Sequence, residues 1–208
     1  MFAESITFED AIKITHLRGK LMQNSEGGKM MAILGLDSQA IDKACSEING
    51  INESAYVASA NYNSLKQTVI AGNIEGIEKA RDLLTEIGAK RCIELNVSIA
   101  SHTNLITDAA DEFNDSLQKI ELSSPIYPII QNYTGEISSD TSKIKQNLLN
   151  QLTQPVLWSK TMNRISNTAS CLIEIGPKNV LCGLSKGYDF SSIFYTADLN
   201  FKKKVQDI

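Results

Sequence analysis

The 208 residues carry 20 Lys and Arg against 24 Asp and Glu, a net charge of -4, with 42% hydrophobic and 21% charged content. These proportions suit a folded globular chain long enough to bury a sizeable core. They give no basic stripe for nucleic-acid binding, and no apolar run reaches the ~18 residues needed to cross a bilayer. The four cysteines, Cys45, Cys92, Cys171 and Cys182, lie far apart and form no CxxC or Cys/His spacing. The expectation is therefore free thiols in a reducing cytoplasm, with no zinc site. The first residues, MFAESITFEDA, lack the charged and apolar regions of a signal peptide.

In chain order, Met1-Phe2-Ala3 reads as the tail of an earlier element. Thr7 with Asp10 three residues on forms an N-cap pattern. Apolar residues then repeat at helical spacing from Ala11 to Met22, predicting a helix over about Phe8 to Gln23. Asn24 to Lys29 (NSEGGK) is a polar, glycine-bearing loop and a candidate hinge. A short apolar strand, 30–35, follows. Asp37-Ser38 caps a helix over 39–48, and a second strand covers 56–61. Asn61 to Ser64 reads as a turn and 67–71 as a third strand. A helix covers 74–87, and 90–97 is a fourth strand. The order β-α-β-β-α-β is that of the split βαβ, or ferredoxin-like, unit. The aromatic pattern of an RNA-recognition motif is missing, with only Tyr56 and Tyr62 available for stacking.

The fourth strand runs into VSIASH, 97–102, and a helical pattern restarts at Thr103. His102 thus sits where a strand gives way to a helix, a place where α/β enzymes often hold reactive side chains. It is one of two histidines, with His16. Beyond it the sequence predicts a helix over 104–119, a strand over 126–132, a helix over 141–151 broken at Gln154-Pro155, and a helix over 158–168. A strand over 171–175, a short helix over 180–185 and a strand over 193–195 follow. Arg18, on the first helix, has two readings. It is either a solvated or surface-paired arginine, or a bidentate clamp for a carboxylate.

Six stretches then align in order with one family: HLRGKLMQ at 16–23, GKMMAILGLD at 28–37, NYNSLKQTVIAG at 61–72, GAKRCIELNVSIASH at 88–102, NQLTQPVLW at 150–158 and EIGPKNVLCGL at 174–184. The chain resembles the malonyl-CoA:acyl-carrier-protein transacylases of fatty-acid synthesis and the acyltransferase domains of polyketide synthases. The resemblance implies an α/β acyltransferase fold. A larger α/β-hydrolase-like domain, formed by 1–28 and 98–208 and lacking its N-terminal part, would carry an inserted ferredoxin-like domain at 29–97.

It also implies a reaction. A serine on a GHSxG elbow takes malonyl from malonyl-CoA as an ester and passes it to the phosphopantetheine thiol of acyl carrier protein, without a cofactor. By position, His102 matches the base and Gln151 the residue whose backbone carbonyl holds its ring. Arg18 matches the clamp for the malonyl carboxylate, and Asn63 an asparagine at the cleft edge. The expectation is that no GxSxG nucleophile, the family's GHSxG included, lies within the 208 residues. Ser98 and Ser101 are poor substitutes, since Ser101 as a neighbour on extended backbone points away from His102. Two classes follow. The chain is either the C-terminal portion of a malonyltransferase, its GHSxG-bearing part lying upstream in the same frame or in a separate piece, or a non-catalytic remnant or binding subunit retaining the ferredoxin-like domain. Neither nucleic acid nor membrane is an expected partner.

Overall fold

A computed structural model describes residues 3–25, 27–51 and 53–206. The chain forms two compact units, Met1–Trp158 and Ser159–Ile208. In the first, α1 (Phe8–Asn24) begins where the sequence places it, with the Thr7 hydroxyl accepting the Asp10 N–H at 3.1 Å. The reading of Met1 and Phe2 lies outside the described residues. Ala3 is held by its carbonyl, which accepts the Ile126 N–H at 2.9 Å. Of the candidate hinge 24–29, Glu26 also lies outside them.

The ferredoxin-like order is present. β1 (Gly28–Leu34), α2 (Ser38–Ile51), β2 (Val57–Ser64), β3 (Gln67–Asn73), α3 (Ile74–Glu86) and β4 (Arg91–Glu94) follow one another. The strands form one antiparallel sheet in the order β2-β3-β1-β4. Asp37 accepts the Ala40 N–H at 2.9 Å, and Asn73 accepts that of Gly76 at 2.8 Å, so both helices start on capping side chains. β1 and β3 are buried on both sides, whereas the edge strand β4 is largely exposed. Met31, Ile33, Val57 and Ile70 pack against Ile41, Cys45, Ile77 and Leu84 of the two helices. The opposite side is made of smaller residues, Ala32, Ala60, Val69 and Ala71 with Met30, and Ala100 packs onto it.

Two differences from the sequence reading concern β2. The strand continues through Asn61–Ser64, and the reversal falls at Leu65-Lys66. Its pairing with β3 skips Ala60 and Asn63, so two bulges lie in one edge strand. The freed outer edge is then used: Val156 N–H donates to Ala60 O and Tyr62 N–H to Val156 O, both at 2.9 Å.

Gly28 opens β1 at a point of close approach. A Cβ there would fall 2.2 Å from the Ala100 nitrogen, whereas one at Gly19 in α1 would meet nothing within 4 Å. Gly28→Ala should therefore destabilise the chain by about 1–3 kcal/mol, as overpacking does. Gly19→Ala should stabilise it by about 0.5–1 kcal/mol, the helix-interior difference between the two residues. Denaturant midpoints of the two variants check this, and equal midpoints would show that the 98–100 loop yields to the added methyl.

The rest of the first unit comprises a 3-10 turn, Asn104–Ile106, then α4 (Thr107–Leu117), β5 (Ile129–Ile130), β6 (Ile137–Ser138) and α5 (Thr141–Thr153). Leu21 of α1, Phe113 and Leu117 of α4 and Leu152 of α5 share a core. The strand expected over 126–132 is only two residues long, paired with β6. In the second unit, α6 (Trp158–Ile165), opening on the last residue of the first unit, precedes β7 (Cys171–Glu174), α7 (Val180–Leu184), β8 (Ser192–Tyr195) and α8 (Phe201–Gln206). β7 and β8 pair in parallel. Among the described residues, no helix is long and apolar enough to cross a membrane. All four cysteines are free.

Candidate active site

His102 sits at the end of the loop that follows β4, on a backbone with φ of 65°, the left-handed region that few residues other than glycine adopt. The loop is locked on both sides of it. The Thr103 hydroxyl, 2% exposed, donates to Ala100 O at 2.7 Å, and its oxygen accepts the Leu105 N–H at 3.3 Å. The His102 N–H donates to Leu152 O at 2.9 Å.

The imidazole is held by the same helix end. Nδ1 lies 2.6 Å from Gln151 O. A carbonyl only accepts, so Nδ1 carries the proton and Nε2 keeps its lone pair. Burial lowers the imidazole pKa below its ordinary 6.5. The bonds to the Gln151 and Gln154 backbones oppose this, and the positive charge of Arg18 adds to the lowering. At neutral pH the ring is a neutral base with one fixed tautomer, suited to take a proton from a hydroxyl or thiol.

Arg18, in α1, is half-buried, and burial lowers its pKa. Its Nε is buried without a hydrogen-bond partner among the described residues. The surface carboxylates weighed as its partners are engaged elsewhere. Glu9 pairs with Lys13 at 2.7 Å, and Asp10 accepts the Thr7 hydroxyl at 2.7 Å. A guanidinium left unsatisfied at a buried nitrogen is costly and calls for an anionic acceptor.

The structure thus brings His102, Gln151 and Arg18 together, the first two by a hydrogen bond and Arg18 through its charge. Asn63 is the half-buried second bulge residue of β2. No hydrogen bond joins it to the other three among the described residues.

The expectation of no GxSxG is wrong as to spacing, since Gly183-Leu184-Ser185-Lys186-Gly187 has it. Its setting is not that of a nucleophile. An elbow serine stands exposed on a sharp turn from strand to helix. Ser185 instead follows the C-terminal end of α7 and is 0% exposed. Its hydroxyl lies 2.8 Å from Leu181 O and 3.2 Å from Met162 Sδ. Ser101 is buried as well. Among the described residues, no group of three or more His, Cys, Asp and Glu side chains could hold a metal ion.

The fold carries a half-buried, tautomer-fixed histidine and a half-buried guanidinium, and comparison with known proteins gives the class, an acyl transferase domain. The acyl transferase domain family matches residues 1–190, and the chain belongs to that family. It is 38% identical over 185 residues to the malonyl CoA-acyl carrier protein transacylase of Haemophilus influenzae, covering 87% of this chain and 58% of that protein. The acyl carrier protein S-malonyltransferase of Vibrio cholerae superimposes with a TM-score of 0.91 at 38% identity, over 98% of this chain and 67% of that one. A malonyl-transacylase solved in complex with its type II polyketide-synthase acyl-carrier protein is 39% identical with a TM-score of 0.85, over 93% of this chain and 62% of that one. The chain therefore spans 58% to 59% of the length of the curated enterobacterial and Haemophilus relatives it matches.

Proposed function

We propose that this chain is the histidine-bearing part of an acyltransferase that moves a malonyl group from malonyl-CoA to the phosphopantetheine thiol of acyl carrier protein in fatty-acid synthesis. The observation that carries the reading is a neutral, tautomer-fixed His102 under the charge of a half-buried Arg18 whose buried Nε lacks an acceptor among the described residues. In this reading His102 is the base, Gln151 orients it, Arg18 receives the malonyl carboxylate and Asn63 borders the cleft. Residues 29–97 form the small domain, inserted between 1–28 and 98–208. The reaction needs no metal or cofactor, because coenzyme A delivers the acyl group already activated as a thioester. Free cysteines support a cytoplasmic site of action.

His102 serves both half-reactions. It first takes the proton of a serine hydroxyl as that oxygen attacks the malonyl thioester. The proton then goes to the coenzyme A thiolate as it leaves. In the second half, Nε2 takes the proton of the phosphopantetheine thiol, whose sulfur attacks the serine ester, and returns it to the serine oxygen. The serine is supplied by a segment carrying GHSxG outside these 208 residues.

The test is transfer of labelled malonyl to acyl carrier protein. The chain alone should give only the uncatalysed background, and adding a GHSxG-bearing N-terminal segment of the family should restore transfer. Transfer by the chain alone would assign the nucleophile to one of its own serines. Stable association with the added segment, still without transfer, would favour the binding-subunit alternative.

A further inference from the structure

We infer that Asp42, on α2 and outside the set formed by His102, Gln151, Arg18 and Asn63, is a positioning residue for His102, acting through the bulged strand β2 and the segment Gln151–Val156. The inference rests on the reading of His102 as the base.

Asp42 Oδ1 accepts two hydroxyls of β2, from Ser59 at 2.5 Å and from Tyr62 at 3.0 Å. Residues three apart on a regular strand face opposite sides of the sheet. Here Ala60 is inserted between them as an extra residue, since Ser59 pairs with Ile70 and Asn61 with Val69. The bulge brings Ser59 and Tyr62 to the same side, facing α2, where a single carboxylate can take both. Asp42 therefore recognises β2 only in its bulged register. Burial first, and then the charge of Asp42, push the Tyr62 phenol up to about 12, and burial does the same to the Cys45 thiol one turn along α2. Both remain protonated at neutral pH, so the phenol stays a donor.

The bulged register has a second reader. The Ala60 carbonyl, turned out of the ladder, accepts the Val156 N–H at 2.9 Å, and the Tyr62 N–H donates to Val156 O at 2.9 Å. Val156 lies five residues after Gln151 and four after Leu152, whose carbonyls hold the His102 ring and N–H. A continuous run of hydrogen bonds and short covalent links thus joins the Asp42 carboxylate to the imidazole. Strand registers are discrete, so losing the double acceptor releases β2 toward an unbulged pairing in which Ser59 and Tyr62 no longer share a face. The Val156 bridge loses both partners in that register, and the helix end that fixes the ring tautomer is freed.

The experiment is long-range proton–nitrogen NMR of the uniformly 15N-labelled 208-residue chain, with only His16 and His102 to resolve. The parent should show His102 in one neutral tautomer, protonated at Nδ1. In Asp42→Ala the two His102 nitrogen signals should converge toward averaged positions while those of His16 stay in place. Asp42→Asn, which keeps an oxygen able to accept both hydroxyls, should restore the parent pattern, and Tyr62→Phe should give an intermediate one. A folded Asp42→Ala chain with unchanged His102 signals would overturn the inference. If Asp42→Ala does not fold, unchanged His102 signals in Tyr62→Phe overturn it instead. The measurement reads no activity, so it stands apart from the test of His102 as the base. That reading fails if a completed complex bearing His102→Ala still turns over.

Discussion

In a complex completed by a GHSxG-bearing segment, His102→Ala should lower malonyl transfer by about 10²–10⁴-fold, the range for loss of a general acid–base group. The expectation follows from the ring's surroundings. Its Nδ1 proton is committed to Gln151 O, leaving one lone pair for chemistry. Burial keeps that lone pair unprotonated at neutral pH. On the proposed mechanism, alanine removes the acceptor for the serine proton and, in the second half-reaction, for the thiol proton. Because φ at this position is 65°, alanine also strains the backbone, by about 1–2 kcal/mol per residue in that region. His102→Asn separates the two effects, since asparagine tolerates left-handed backbone but cannot act as the base. Both variants should show that loss of transfer, and the asparagine variant should have the higher unfolding midpoint of the two. Near-parental kcat/KM in either would remove His102 from the mechanism.

The second large effect concerns selectivity. In the same complex, Arg18→Ala should reduce malonyl transfer far more than acetyl transfer, a loss of preference of about 2–4 kcal/mol, as for removing one partner of a desolvated charge pair. Two parallel N–H donors of a guanidinium match a free carboxylate, and an acetyl group offers none. Binding acetyl would leave a half-buried cation without its counter-charge, which is costly. A surface pair with Glu9 or Asp10 would have been worth at most ~1 kcal/mol, and those carboxylates are otherwise occupied. Competition between labelled malonyl-CoA and acetyl-CoA measures the preference directly. Equal losses for both acyl groups would make Arg18 structural.

The ferredoxin-like order was legible because each step has a local signal. Caps at Asp37 and Asn73, helical periodicity after them and short apolar runs between suffice to fix it. Three features had no such signal. Asn61 to Ser64 have turn-forming composition, yet long-range pairing with β3 and Val156 keeps them extended. Ile126 to Asn132 have strand composition, but a strand is defined by its partner, and the pairing extends only over Ile129–Ile130. The lysine-rich helix Phe201–Gln206 has no apolar period to announce it. At the site, the position of His102 between strand and helix was legible, whereas the roles proposed for Arg18 and Gln151 rest on family resemblance. Asp42 was invisible, because its importance lies in two hydroxyls 17 and 20 residues away. The spacing of Ser185 was readable but carries no chemistry where it stands, since its meaning depends on exposure, which a five-residue pattern does not encode.

The end of α5 does more than orient a ring. The last carbonyls of any α-helix lack intrahelical donors and carry the negative pole of its macrodipole. In α5 two of them, of Gln151 and Leu152, are satisfied by His102, so the histidine caps a helix 49 residues away in sequence. In the proposed role of His102 as base, the positive charge gained at Nε2 would form against that negative pole, a placement worth about 0.3–1 kcal/mol at exposed sites and up to ~2 kcal/mol when partly buried. Burial thus favours the neutral ring, while an imidazolium formed in that role would meet a counter-field already in place. The helix stabilises the ion only while it exists and needs no carboxylate to do so.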